Sequence, residues 1–134
     1  MQQDFGNSLA QLEPLAKTVQ EFGQQEVLPK AVTGTLNLAL DELFTNIVQH
    51  GYAPGEKGQI SLQLTRKGDA VEAILQDHAP AYNPFDAPEP DRHSPVESRP
   101  IGGLGVHLVK ELMDHWEYRR DHHQNTVILR KNLA

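Results

Sequence analysis

Apolar residues recur at helical spacing over residues 8–26. Leu9, Leu12, Leu15, Ala16, Val19 and Phe22, with Val27 just beyond, fall on roughly one face. Ser8 stands where an N-cap is needed. Pro29 then interrupts the chain, and a second helix is predicted over residues 31–50, closed by Gly51. Its stripe is Leu36, Leu40, Leu43, Phe44 and Ile47. From residue 59 the period shortens from about 3.6 to 2. QISLQLTR (59–66) and AVEAILQD (70–77) alternate as strands do, and Lys67-Gly68-Asp69 is the short polar connector that a hairpin requires.

Residues 78–103 lose periodicity and contain six prolines. A structureless run of that length in a small domain is most often a lid or binding loop. Helical spacing returns over residues 104–115 through Leu104, Leu108, Val109, Leu112 and Met113, and the chain ends in a second hairpin that turns at residues 121–125. Residues 2–7 carry a faint strand signal. The order is helix, helix, strand, strand, long loop, helix, strand, strand. It predicts an α+β two-layer α/β sandwich, a mixed sheet covered on one face by helices. At 134 residues the chain suits one domain, 1–134.

Composition narrows the functional classes. A net charge of -6 with scattered basic residues argues against nucleic acid, which calls for a basic stripe. The absence of cysteine removes disulfides, thiolate metal sites and cysteine nucleophiles. No apolar run reaches membrane-spanning length, and MQQDFGNSL lacks the features of a signal peptide, so a cytoplasmic protein is expected.

Three features could carry chemistry. Glu42 and Asn46, four residues apart, project from the same side of the second helix, at the edge of its apolar stripe. A carboxylate and a carboxamide there suit a hard cation or a general base, or are simply a solvated pair. Asp77 closes a strand, where a carboxylate can accept from an amine or merely start a turn. The glycines of IGGLGVHLV open a helix, where free backbone amides favour an anion, although tight helix packing asks for glycine as well.

Taken in order, these blocks resemble the Bergerat (GHKL) ATP-binding domains of gyrase-type ATPases and histidine kinases. Within that superfamily the chain is most similar to small anti-sigma-factor serine/threonine kinases of the RsbW type. The resemblance rests on DELFTNIVQHGY (41–52), DHAPAYNPF (77–85) and RPIGGLGVHLVKELMD (99–114). It implies that Asn46 coordinates the Mg²⁺ of ATP, that Glu42 is the catalytic base, and that Asp77 receives the adenine amino group with Ala79 and Tyr82 alongside. Residues 87–100 would form the lid, and Gly102, Gly103, Leu104, Gly105 and Val106 would surround the phosphates. It further implies phosphorylation of a STAS-type anti-sigma-factor antagonist, sequestration of a sigma factor in the alternative complex, and a homodimer.

Two positions depart from the family pattern. Asp77-His78-Ala79 replaces the usual Asp-x-Gly, and Tyr82 stands where phenylalanine is common. If position 79 needs a positive φ, alanine there costs about 1 kcal/mol and turns its Cβ toward the nucleotide. That departure suggests a second reading, a degenerate Bergerat module that holds a partner without transferring phosphate. His115, His122 and His123 are expected to be turn and surface residues rather than a zinc site, Trp116 and Tyr118 to be sheet-packing residues, and Ser94 to be an ordinary loop serine.

Overall fold

A computed structural model describes residues 1–86 and 103–133. Strand β1 (Gln2–Gly6) is followed by a 3₁₀ turn, Leu9–Gln11, and helix α1 (Leu12–Gln25). Helix α2 (Lys30–Asn46) continues into a π-helical turn, Ile47–Gly51. Strands β2 (Gln59–Lys67) and β3 (Ala70–Asp77) form the first hairpin; a 3₁₀ turn (Pro84–Asp86), helix α3 (Gly103–Leu112) and strands β4 (His115–Asp121) and β5 (Gln124–Asn132) complete the order.

The five strands lie in the order β1-β2-β3-β5-β4. Leu62 pairs with Leu75 and Leu75 with Val127; one step along, Leu64 pairs with Ala73 and Ala73 with Leu129. Period-2 alternation therefore sends one apolar row after another to the same side of the sheet. There they are sealed by Leu15, Val19 and Phe22 of α1, Leu36, Leu40, Leu43 and Phe44 of α2, and Val109 of α3. Phe5, the one buried residue of β1, meets the Phe44 ring edge-on at 5.9 Å.

The predicted two-layer α+β class holds, with corrections. The sheet is not mixed, because every strand pairing is antiparallel. β4 does run in the same direction as β3, but β5 inserts between them, a pairing that alternation along the sequence does not encode. The first helix begins later than residue 8. Ser8 caps the 3₁₀ turn instead, accepting from the Ala10 amide at 3.2 Å. Val27 leaves the predicted stripe: α1 has already ended, and the residue is 83% exposed with φ of 53°. Helix α3 stops at Leu112, and His115 opens β4. The faint strand over residues 2–7 is real and pairs with β2.

Of the expected lid over residues 78–103, only residues 78–86 and Gly103 are described. Residues 87–100, with Ser94, and Gly102 lie outside the described residues. Among the described residues no helix is long and apolar enough to cross a membrane.

Candidate functional site

The C-terminal end of α2, the end of β3 and the start of β5 converge on one small pocket. Leu43, Ile47 and Val127 supply apolar wall, and Tyr82 stands among the lining residues with its side chain partly in solvent. Into this apolar setting project Asn46, Asp77 and Asn125, exposed by only 4%, 4% and 5%. These three are the buried polar residues found among the described residues, and all three line the same pocket. Burying polar groups is costly unless each finds a partner, so their convergence makes this pocket the candidate site for a polar ligand.

Asp77 is held from one side. Its Oδ1 accepts from the Ala79 amide and from Asn125 Nδ2, both at 2.9 Å. Asn125 Nδ2 also donates to the carbonyls of Ala79 (3.1 Å) and Pro80 (3.2 Å). Its Oδ1 accepts from the Tyr118 hydroxyl at 2.6 Å and from Arg120 at 3.2 Å. Arg120 spans to the Ala79 carbonyl at 2.7 Å. Behind Asp77, the Tyr52 hydroxyl accepts from the His78 amide and donates to the Gln59 carbonyl, both at 3.2 Å. Burial pushes the Tyr52 phenol pKa up.

Ala79 does not behave as its replacement of glycine suggests. The non-glycine residues with positive φ among the described residues are Val27, His122 and His123, so Ala79 bears no left-handed strain. Its methyl is buried against Gly51, where an added Cβ would come within 3.2 Å of it. The glycine of this contact sits at the end of the π-helical turn of α2, and the methyl fills the space it leaves.

Asn46 differs from its two buried neighbours. Its Nδ2 is buried with no partner among the described residues. A carboxamide can present either end to the same place, and the assignment of N and O follows the hydrogen bonds available. Turned about, Asn46 offers the pocket an unshared oxygen. One turn earlier, the half-buried Glu42 packs against α3 at Gly105, where an added Cβ would overlap the Glu42 carboxylate. Gly103 and Leu104 form the first turn of α3, and Val106 is buried beneath. The N-terminal end of α3 thus lies beside Glu42, with its dipole positive on that side. Next to Glu42, burial first and the Glu42 charge second raise the pKa of Asp41, whose Oδ1 has no partner among the described residues.

Two further contacts frame the site. Lys110 of α3 donates to the Phe85 carbonyl at 2.7 Å, tying the loop after β3 to the helix. The Tyr82 ring lies 6.1 Å from His50.

Asn46, Asp77 and Tyr82 are therefore brought into one pocket, with Glu42 and Gly105 in mutual contact one helical turn from Asn46. Asn125, which the sequence places in the turn over residues 121–125, instead lies on β5 and lines the pocket. Its signal was its spacing: two residues before Val127 and four before Leu129, it is a polar residue at a core-facing position. His78 is exposed, with Nδ1 3.4 Å from the His123 carbonyl. Among the described residues no cluster of side chains could hold a metal in the manner of a zinc site.

Known proteins agree with this architecture. The Serine/threonine-protein kinase BtrW of Bordetella bronchiseptica is 31% identical over 100 residues, covering 75% of this chain and 70% of that protein. The Serine-protein kinase RsbW of Bacillus subtilis is 33% identical over 104 residues, covering 73% of this chain but only 63% of its own length. In fold, the histidine kinase domain of the blue-light activated histidine kinase from Erythrobacter litoralis superposes with a TM-score of 0.60 at 15% identity, over 93% of this chain and 60% of that one. Residues 5–131 match the histidine kinase-like ATPase domain family, to which this chain belongs.

Proposed function

We propose that the protein is an ATP-dependent serine/threonine kinase that phosphorylates a STAS-type anti-sigma-factor antagonist and holds a sigma factor in the alternative complex. The observation that carries the reading is the convergence of Asn46, Asp77 and Asn125 in one apolar pocket. Its kinase component is supported by relatives that are themselves named serine or serine/threonine kinases.

The residues fit ATP with Mg²⁺. A free Asp77 oxygen matches an exocyclic amine, the orphaned carboxamide of Asn46 matches a hard cation, and glycine at 105 leaves room for the Glu42 carboxylate. Bound Mg²⁺-ATP supplies the phosphoryl group and the metal's neutralising charge. The chain's own residues then do three things. Asp77 orients the base, with Ala79 and Tyr82 at its side. Backbone amides of Gly103, Leu104, Gly105 and Val106, and of Gly102 outside the described residues, would hold the phosphates. Glu42 takes the proton of the attacking hydroxyl. The loop over residues 87–100 serves as the lid, and the protein acts as a cytoplasmic homodimer.

Thermal unfolding in ATP and Mg²⁺ tests the site. A ligand bound only by the native state at a hundred times its Kd adds about 2.7 kcal/mol of stability. No change in midpoint at millimolar nucleotide removes the kinase reading. Labelled ATP incubated with an antagonist then separates transfer from occupancy. Glu42→Ala should bind nucleotide yet lose transfer, and Asn46→Ala should lose the Mg²⁺-dependent part of binding. The alternative of a degenerate module that only sequesters a partner drew on Ala79, and the unstrained backbone there withdraws that support.

A further inference from the structure

Helix α2 carries polar groups on two sides. Glu42 faces α3, with Asn46 one turn on; Asn37 and Asp41, also one turn apart, share another face about 140° round the helix. Three buried side-chain atoms lack a hydrogen-bond partner among the described residues, and two of them, Asn37 Oδ1 and Asp41 Oδ1, are on this second face. A buried acceptor without a donor is costly, most of all when it is charged, so two on one helix face call for an explanation.

The space beside them is a groove between α1 and α2. Val19 and the half-buried Ala16 of α1 form its apolar floor, Asn37 stands on its α2 side, and Val27, 83% exposed, stands where the chain passes from one helix to the other. Asp41 continues the Asn37 face one turn further. Gly34 leaves the outer side open, since a Cβ there would meet no atom within 4 Å. The charged residue in the groove lining is Lys30, at the far end of α2, about 17 Å along the axis from Asp41. The groups that act on Asp41 are its own burial and Glu42, with no cation among them.

The chemistry missing from this face is a donor with positive charge. The Asn37 carboxamide can turn over and present either end, but an ionised Asp41 only accepts, so the carboxylate decides what fits. A lysine or arginine has the matching form: a stem that lies on apolar surface and a charged head that donates to several acceptors at once. The chain's net charge of -6 draws such a group in from a distance.

We infer that the α1–α2 groove is a docking surface for a partner protein that inserts a lysine or arginine, its stem along Ala16 and Val19 and its charged head between Asn37 and Asp41. Apolar partner residues beside the cation cover Val27. The surface is separate from the nucleotide pocket, and the inference stands whether or not that pocket takes ATP.

The test uses the full chain, isotope-labelled and without nucleotide, and follows the Asn37 carboxamide and the Asp41 carboxylate by NMR. The probes are ethylguanidinium and butylammonium chlorides, read against sodium chloride at equal ionic strength. The cations should give saturable shifts at both side chains with millimolar affinity, and comparing the two probes tells an arginine preference from a lysine one. Asp41→Asn keeps the shape but removes the charge and should weaken binding at least about tenfold; Asn37→Leu should weaken it about tenfold. A capped peptide with one arginine and alternate leucines should bind at least about tenfold more tightly than ethylguanidinium, because it also covers Ala16 and Val27. Its twin with norleucine in place of arginine should fall back by about the same factor.

Three outcomes overturn the inference. One is cation shifts no larger than those in sodium chloride, which leaves water as the partner of both acceptors. Another is an Asp41→Asn variant that binds the cations as wild type does. The third is a norleucine peptide that binds as tightly as the arginine peptide, which makes the groove an apolar surface without a cation site. Should a variant lose its fold, the peptide pair measured on wild type decides the matter alone.

Discussion

Gly105→Ala isolates the contact between α3 and the proposed base. The new Cβ would lie on the Glu42 carboxylate, 2.5 Å from its Cδ and 3.2 Å from its Cγ, so one side must yield. Driving α3 away from α2 is an overpacking event and costs about 1–3 kcal/mol. Swinging the half-buried Glu42 to another rotamer costs about 1 kcal/mol, and the side chain has solvent to move into. Rotation therefore wins. Alanine also gains about 1 kcal/mol over glycine within a helix. The two nearly cancel, and chemical denaturation should show a stability within about 1 kcal/mol of wild type. Activity has no such cancellation. A reacting group displaced by 1 Å forfeits about a hundredfold in rate, and transfer from labelled ATP to the antagonist should fall by that order. Nucleotide affinity should change little, since Asp77 and Asn46 are untouched. Wild-type transfer by Gly105→Ala would falsify the placement of Glu42, and a variant that unfolds would show that α3, not the side chain, gives way.

Three other perturbations have defined signs. The β4–β5 hairpin turns on His122 and His123, both left-handed at φ of 49° and 61°, between the paired Asp121 and Gln124. Replacing them together, His122→Asn with His123→Gly, should add about 1–2 kcal/mol in urea unfolding, and no gain would mean the strain is relieved some other way. Asp41 has its pKa raised by burial, so its ionised form weakens the fold above that pKa and the penalty fades as pH falls through it. Asp41→Asn should therefore melt higher than wild type at neutral pH, with the difference shrinking in acid; a difference that grows in acid has the wrong sign. Ala79→Gly, though it restores the common family residue, should lose about 1–2 kcal/mol through the missing buried methyl and the added chain freedom. ATP affinity should stay within about threefold of wild type, and a large gain would show that the methyl obstructs the base.

The sequence carries the layers of the fold because periodicity alone decides which face of an element is apolar. The stripe from Leu36 to Ile47 and the alternation from Ile60 to Leu75 lead directly to the buried core. Pairing is another matter. That β5 enters between β3 and β4 depends on the register Ala73 with Leu129 and Leu129 with Trp116, which is set by packing between segments far apart in sequence. Val27 shows a local failure of the same kind, for helical spacing continued past the residue where the backbone turns left-handed. At the site, Glu42, Asn46, Asp77 and the helix-opening glycines were legible because each lies inside a recognisable block. Asn125 was not, since beside two turn histidines it reads as turn chemistry, and only the strand's face assignment exposes it as buried.

Ala79 and Asn125 also change what the departures from the family pattern mean. Judged alone, alanine after Asp77 is a lost glycine, and a lost glycine next to a ligand suggests a failing site. In place, the Ala79 backbone is fully employed: its amide donates to Asp77, and its carbonyl accepts from both Arg120 and Asn125. A residue with both backbone groups engaged has no need of left-handed freedom, and its methyl is accommodated by Gly51 on the opposite wall. Gly51 at the end of the π-helical turn leaves room for the methyl, and Asn125 of β5 adds a second donor to Asp77 beside the Ala79 amide. Three buried polar side chains facing one pocket are costly unless each finds a partner, and that cost is the physical support for the proposed polar ligand there.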